Sequence, residues 1–234
     1  IEPWANPNIS RSLAFSWAIP FTHTGATASY AFGSTASVML GIVNGWVNVV
    51  DSNDGKSVLA SVGITPVEQF SLLLNGIYGA EQPDRGDSKR GVFDAVATVK
   101  PVENFAIILN YDYGNESDLH VGGNAEWNAF SGILAYDLVD ALPVPVGFAL
   151  RGEYFDDSDG TRLPTPDGGG FGQYQNAYEI TTTFKIVLAE GLMFRTEYRY
   201  DYGHRQLYEK SLVGTDDNYQ DDQHTVAGEL TYVF

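Results

Sequence analysis

The sequence predicts an all-β fold, a transmembrane antiparallel up-and-down β-barrel, on three observations. Apolar and polar residues alternate along most of the chain, the alternating segments are long, and the links between them are short and long by turns. A period of two sends successive side chains to opposite faces of a strand. Strands of soluble domains typically run to about 5–6 residues, whereas a tilted strand crossing a bilayer core needs about 9–11. No helical stripe at i, i+3, i+4, i+7 competes with this pattern, and no apolar run approaches the ~18 residues of a membrane-spanning helix. The longest apolar stretch near the start, Leu13 to Phe21, is too short and contains Pro20.

Residues 1–23 read as an external or lumen-facing lead-in, and residues 24–234 as the barrel. Within the barrel, alternation marks segments 24–33, 36–49, 56–66, 69–79, 89–100, 103–114, 125–138, 144–157, 174–188, 191–206 and 222–234. Tight links stand at 33–34, 66–68, 101–103, 139–143 and 189–191. Longer polar links stand between them, at 51–56, 81–90, 115–124, 156–173 and 204–222. Turns on one side and loops on the other is the asymmetry of an outer-membrane barrel. Two near copies, TPVEQFSLLLNGIYG (65–79) and KPVENFAIILNYDYG (100–114), and a looser third, LAEGLMFRTEYRYDYG (188–203), repeat one unit of turn and rising strand. Such repetition fits a meander. Eleven strands is an odd number, while bacterial single-chain barrels are even. Either residues 11–19 supply a twelfth, or the chain is the C-terminal part of a larger barrel of 12–16 strands; the second is the expectation.

The two faces differ in chemistry. Phe105, Ile107, Leu109, Tyr111 and Tyr113 share one parity, against Ala106, Ile108, Asn110 and Asp112. Phe148, Leu150 and Tyr154 oppose Gly147, Ala149, Arg151 and Glu153, and Phe194, Tyr198, Tyr200 and Tyr202 oppose Arg195, Glu197, Arg199 and Asp201. Aromatic residues gather at segment ends. Phe32, Phe70, Phe105, Tyr136, Phe184, Phe194, Tyr232 and Phe234 lie near the short turns, and Trp46, Tyr78, Tyr111, Tyr154, Tyr178 and Tyr202 near the long loops. Two aromatic girdles around an aliphatic band suit the two interfaces of a bilayer, where a soluble core would place its rings centrally.

Charge and composition remove other classes. With 30 Asp+Glu against 13 Lys+Arg and a net charge of −17, the chain lacks the basic surface that nucleic acid requires. It has no cysteine, so disulfides and thiolate metal sites are absent. Its four histidines, His23, His120, His204 and His224, form no metal-binding motif, and no Ser/His/Asp spacing singles out a catalytic set. DSNDG (51–55) and DDSDG (156–160) depart from the calcium-loop pattern and read as turn chemistry. No cofactor and no enzymatic activity are expected. Acidic long links beside anionic lipopolysaccharide would attract diffuse Ca²⁺ or Mg²⁺ bridging.

The stretches EPWANPNISRSLAFSWAIPFTHTGATASYAF (2–32), NGWVNVVDSNDGKS (44–57), LNYDYG (109–114), LRGEYFDDSDG (150–160) and FRTEYRYD (194–201) resemble the OmpL-like β-barrel porins of Gram-negative bacteria. The resemblance spans essentially the whole chain and implies a porin of the outer membrane. Family members carry further strands before this point.

The expected function is passive diffusion of small hydrophilic solutes or ions, with a plugged structural barrel and a soluble carbohydrate-binding sandwich as alternatives. The pore-lining candidates are Arg151, Glu153, Glu179, Lys185, Arg195, Glu197, Arg199, Asp201 and Glu229, expected to form cross-strand ladders of opposite sign. Leu230, Tyr232 and Phe234 form a lipid-facing strand end that resembles the signal read by the barrel assembly machinery. Expected partners are outer-membrane lipid, lipopolysaccharide and that machinery, with homo-oligomers by analogy to other porins.

Overall fold

A computed structural model describes residues 6–117, 123–138, 144–164, 174–205, 207–209 and 219–233. Their main element is one antiparallel sheet of eleven strands in chain order. The strands are β1 (Gly25–Phe32), β2 (Ala36–Val43), β3 (Ser57–Val67), β4 (Phe70–Ala80), β5 (Lys89–Val102), β6 (Phe105–Glu116), β7 (Ala125–Leu138), β8 (Val146–Asp157), β9 (Gln175–Ala189), β10 (Leu192–Gly203) and β13 (Asp222–Tyr232). A two-residue pair, β11 (Tyr208–Glu209) and β12 (Tyr219–Gln220), sits in the last long link. From β3 to β10 every strand has 11 to 15 residues. At about 3.3 Å per residue, strands tilted by ~40° clear an apolar band about 25 Å tall.

Alternation decides which face each residue takes. Phe148, Tyr178, Ile180, Phe184, Phe194, Tyr198, Leu230 and Tyr232 are exposed on the outer face, while Arg151, Glu153, Glu179, Thr181, Arg195 and Glu197 are buried on the inner one. An apolar outside around a charged inside suits a sheet solvated by lipid. The aromatic rings keep their places at the strand ends: Phe32, Tyr136, Phe184 and Tyr232 on the turn side, Tyr78, Tyr111, Tyr178 and Tyr202 on the loop side, all exposed.

One expectation is corrected, and one alternative falls away. The segment 36–49 ends as a strand at Val43. Gly45, with φ of +143°, turns the chain inward, and the Trp46 amide donates to Glu81 Oε2 at 2.7 Å. Trp46 is therefore no girdle residue; it is buried, edge-to-face with Trp127 at 6.2 Å. Residues 11–19 are no strand either. They hold one wide helical turn of the π type, Ala14–Ala18, and Ser12 Oγ accepts the Phe15 N–H at 2.9 Å.

This turn lies inside the curve of the sheet. Leu13, Ala14 and Ala18 share a buried cluster with Val43, Leu59, Ile77, Val92, Trp127 and Phe155, so one short helical turn, resting on β6 and β7, joins a core that reaches from β2 to β8. The sheet wraps around its own lead-in. Among the described residues no pairing joins β1 to β13, and both remain free edges.

Candidate functional site: the charged lumen face

Register places the inner-face charges in rows. Glu153 pairs with Glu179, and Glu179 with Asp201. One step toward the turns, Arg151 pairs with Thr181, and Thr181 with Arg199. Further on, Lys185 pairs with Arg195, and Arg195 with Glu229. Directly opposed charges are thus mostly of like sign, which corrects the expected ladder. Compensation runs diagonally and along the strand: Arg151 Nε meets Glu179 Oε2 at 2.7 Å and Glu153 Oε1 at 3.7 Å, and Arg199 meets Asp201 at 2.6 Å. Among the nine candidates only Arg195 has a directly opposed partner of opposite sign, Glu229 at 2.5 Å. Lys185 reaches instead to Asp137, at 2.6 Å near the turn side.

Like charges can stand side by side here because the lead-in supplies the missing partners. Glu197 accepts the backbone N–H of Ile9 at 2.6 Å and of Ser10 at 2.9 Å, and Glu153 accepts that of Leu13. The guanidinium groups take the carbonyls: Arg195 donates to Asn6 O at 2.6 Å, Arg151 to Ser10 O at 2.7 Å, and Arg199 to Arg11 O at 2.7 Å. Asn8, fully buried, donates to Thr183 Oγ1 at 2.8 Å. Residues 6–13 have no strand or helix of their own to satisfy their peptide groups, so charged side chains of β8, β9 and β10 do it. Bonds to ionised groups are the stronger kind. Of the nine pore-lining candidates, Arg151, Glu153, Arg195, Glu197 and Arg199 touch the lead-in directly. Glu179 and Asp201 hold arginines that do, Glu229 holds Arg195, and Lys185 stands apart.

Toward the loops the lumen holds an apolar cluster. Trp127 Nε1 donates to Ala18 O at 3.1 Å, and the ring lies so close to Gly114 that a Cβ there would stand 1.9 Å from it. The link after β8 folds over this end. Asp157 accepts the N–H groups of Thr161, Arg162 and Leu163 at 2.7–2.9 Å, and Leu163 enters the buried cluster. Arg162 lies 4.9 Å from the Trp46 ring and 5.2 Å from that of Trp127, and donates to Trp17 O at 2.8 Å. Burial, and then the nearby Arg90, pull its pKa down to about 10. Turn chemistry holds both Asp-rich links, since Asp51 and Asn53 likewise accept N–H groups two residues on. Among the described residues no three His, Cys, Asp or Glu side chains are grouped to hold a metal.

This apolar end went unread in the sequence, although a signal was present: Trp127 and Phe155 lie on the parity of Ser131 and Glu153, the polar one. Ile108, the one large apolar residue on the inner face of β6, is explained in the same way. It pairs with Ile133 and lines a cavity against Phe15 and Ile19 of the lead-in.

That cavity, of about 300 Å³, lies between the lead-in and the inner faces of β4 to β8, with Asn75, Asp94 and Asn110 in its lining. A second, of about 230 Å³, continues beside it past Pro20 and His23 and shares Ile19, Asn75 and Asp94 with the first. A third, of about 190 Å³, opens near the turns between Asn6, Asp137 and Lys185. Residues 6–13 thus fill the β8–β10 side of the lumen and the helical turn rests on β6 and β7; the space left along β4–β7 is largely apolar, with Asn75, Asp94 and Asn110 as its polar groups.

Compared with protein families, the chain matches, over residues 1–234, the model described as "Putative beta-barrel porin-2, OmpL-like". The chain belongs to this family. It is a porin-like outer-membrane barrel. No curated protein matches it. The strand end of this porin-like barrel places Leu230 and Tyr232 outward on β13, and Phe234 lies outside the described residues. So do His120, the tight link 139–143 and parts of the long links 115–124, 156–173 and 204–222.

Proposed function

We propose that this protein is a passive channel of the Gram-negative outer membrane for ions and small hydrophilic solutes, narrowed by its own lead-in. The observation that carries this reading is the incomplete filling of the lumen. Residues 6–13 are clamped against β8–β10 and the helical turn Ala14–Ala18 rests on β6 and β7, yet cavities of about 300 and 230 Å³ remain between the lead-in and the wall. Asn75, Asp94 and Asn110 give this space polar groups; Arg11 and Arg151 also line it, with Arg151 already paired to Glu179, and the chain's net charge of −17 favours cations. A bilayer does not tolerate unpaired strand edges, so antiparallel wall strands are proposed to pair with β1 and β13 and close the barrel. Free diffusion of large solutes is incompatible with a lumen filled in this way.

A second reading has its own support. The apolar cluster of Trp46, Trp127, Phe155 and Leu163 closes the loop end over the helical turn, as a structural plug would. Planar-bilayer recording of the intact protein in a salt gradient separates the two. A small steady conductance with a reversal potential on the cation side supports the channel; silence at every voltage supports the plug.

A further inference from the structure

We propose that Asp94 and Asp112 form a luminal site for a hard divalent cation, with Ca²⁺ as the natural probe. Asp94 on β5 and Asp112 on β6 are direct cross-strand partners, so both point to the inner face at the same height. Asp112 is fully buried, yet neither of its carboxylate oxygens meets a hydrogen-bond donor. What it faces is the Asp94 carboxyl, with the Asn110 side chain beside it. Among the described residues no ion pair reaches either aspartate. A third acid, Glu153, also repels the Asp112 carboxyl, and its own Oε1 has no hydrogen-bond partner; Arg11 and Arg151 share the cavity that Asp94 lines, Arg151 already held by Glu179.

Two neighbouring carboxylates out of water repel each other and lose their hydration, and a cation between them removes both costs. The surroundings supply the rest of an oxygen shell. Asn75 Nδ2 stands 2.6 Å from Asp94 Oδ2 and Asn110 Nδ2 stands 2.7 Å from Asp94 Oδ1, so half-turns of these amides bring carbonyl oxygens to the same place. Asp94 lines both adjoining cavities, which give access and room for coordinating water. Ca²⁺ takes about 6–8 oxygens in loose geometry, which mixed carboxylate, amide and water ligands satisfy; Mg²⁺ demands a stricter octahedron and sheds water reluctantly. Two formal negative charges match a divalent ion better than Na⁺ or K⁺. The site refines the proposed cation-preferring path, and its occupancy does not require that the path conduct.

The test is calorimetric titration of Ca²⁺ into chelator-stripped protein folded in detergent, with heat-modifiable gel migration as the check of folding. The acidic long links give a weak background common to all variants. Wild type should show one saturable site above this background, and Asp112→Asn and Asp94→Asn should each weaken it by about ten-fold or more, because each removes one charge from the ligand set. Asp54→Asn, in an exposed link, should leave it intact. Equal binding by wild type and both folded luminal variants would overturn the site and leave a carboxyl pair sharing one proton. Binding without conductance would refute the channel and keep the site; conductance without binding would do the reverse.

Discussion

Replacing Glu197 by alanine should release the lead-in from the wall. The carboxylate is 3% exposed and accepts three hydrogen bonds, from Ile9 N–H, Ser10 N–H and the Thr183 hydroxyl. The Thr183 bond lies within the wall, so the two backbone bonds are what the substitution takes from the lead-in. A hydrogen bond to a charged group contributes about 1.5–3 kcal/mol, and water from the adjoining cavities recovers part of each loss, leaving about 2–4 kcal/mol. At about 1.4 kcal/mol per factor of ten, the released population rises roughly 30- to 1,000-fold. Trypsin reads this population at the Arg11–Ser12 bond, whose carbonyl is held by Arg199 in the clamped state. Cleavage of a transiently opened segment follows the open fraction when reclosing is fast. Appearance of the fragment beginning at Ser12 should accelerate accordingly in micelle-folded Glu197→Ala, with Glu197→Gln between it and wild type. A cleavage rate equal to wild type in a folded Glu197→Ala protein would refute the clamp.

Trp127→Ala, which empties a fully buried ring site and removes the bond to Ala18 O, should lower stability by about 3–5 kcal/mol. An unshifted urea midpoint for loss of the heat-modifiable band would contradict that. Thr182→Arg, on the outer face between Leu150 and Tyr198, should cost about 2–4 kcal/mol of bilayer stability, checked by folding into lipid vesicles. Stability in vesicles equal to wild type would mean that this face does not meet lipid. Asp51, in the link after β2, is held below its ordinary pKa of 3.8, first by the Lys56 ammonium that donates to it and then by the Asn53 N–H. A depressed carboxylate contributes its stability above its ordinary pKa and loses it as pH falls through the lower, folded value. Its carboxyl resonance should therefore titrate below 3.8 in wild type and move upward in Lys56→Met; an identical midpoint in both would remove Lys56 as the cause.

Much of the wall was legible in the sequence because a period of two depends only on local geometry. Phe148, Leu150 and Tyr154 against Arg151 and Glu153 already fixed the two faces of β8, and the inner parity carried all nine charged candidates. What faces them was not legible. Leu13–Phe21 reads as a short apolar run, and only the curled sheet turns it into lumen filling. The signs of the rows were missed because register, set by the turn geometry, decides whether Glu153 meets Thr181 or Glu179. Trp46 was misplaced because alternation continues past Val43, while the backbone turns at Gly45 to seat the ring on Trp127.

In the proposed channel, current passes beside a lead-in that stays in place. With no native cysteine, a single disulfide can fix it: Asn8→Cys with Thr183→Cys, whose native side chains meet at 2.8 Å. Bilayer recording of this oxidised pair is the direct test. A small cation-preferring conductance close to that of wild type, unchanged when reductant is added, is expected. An oxidised channel that is silent and opens only on reduction would contradict it, because the lead-in would then be a gate across the whole lumen.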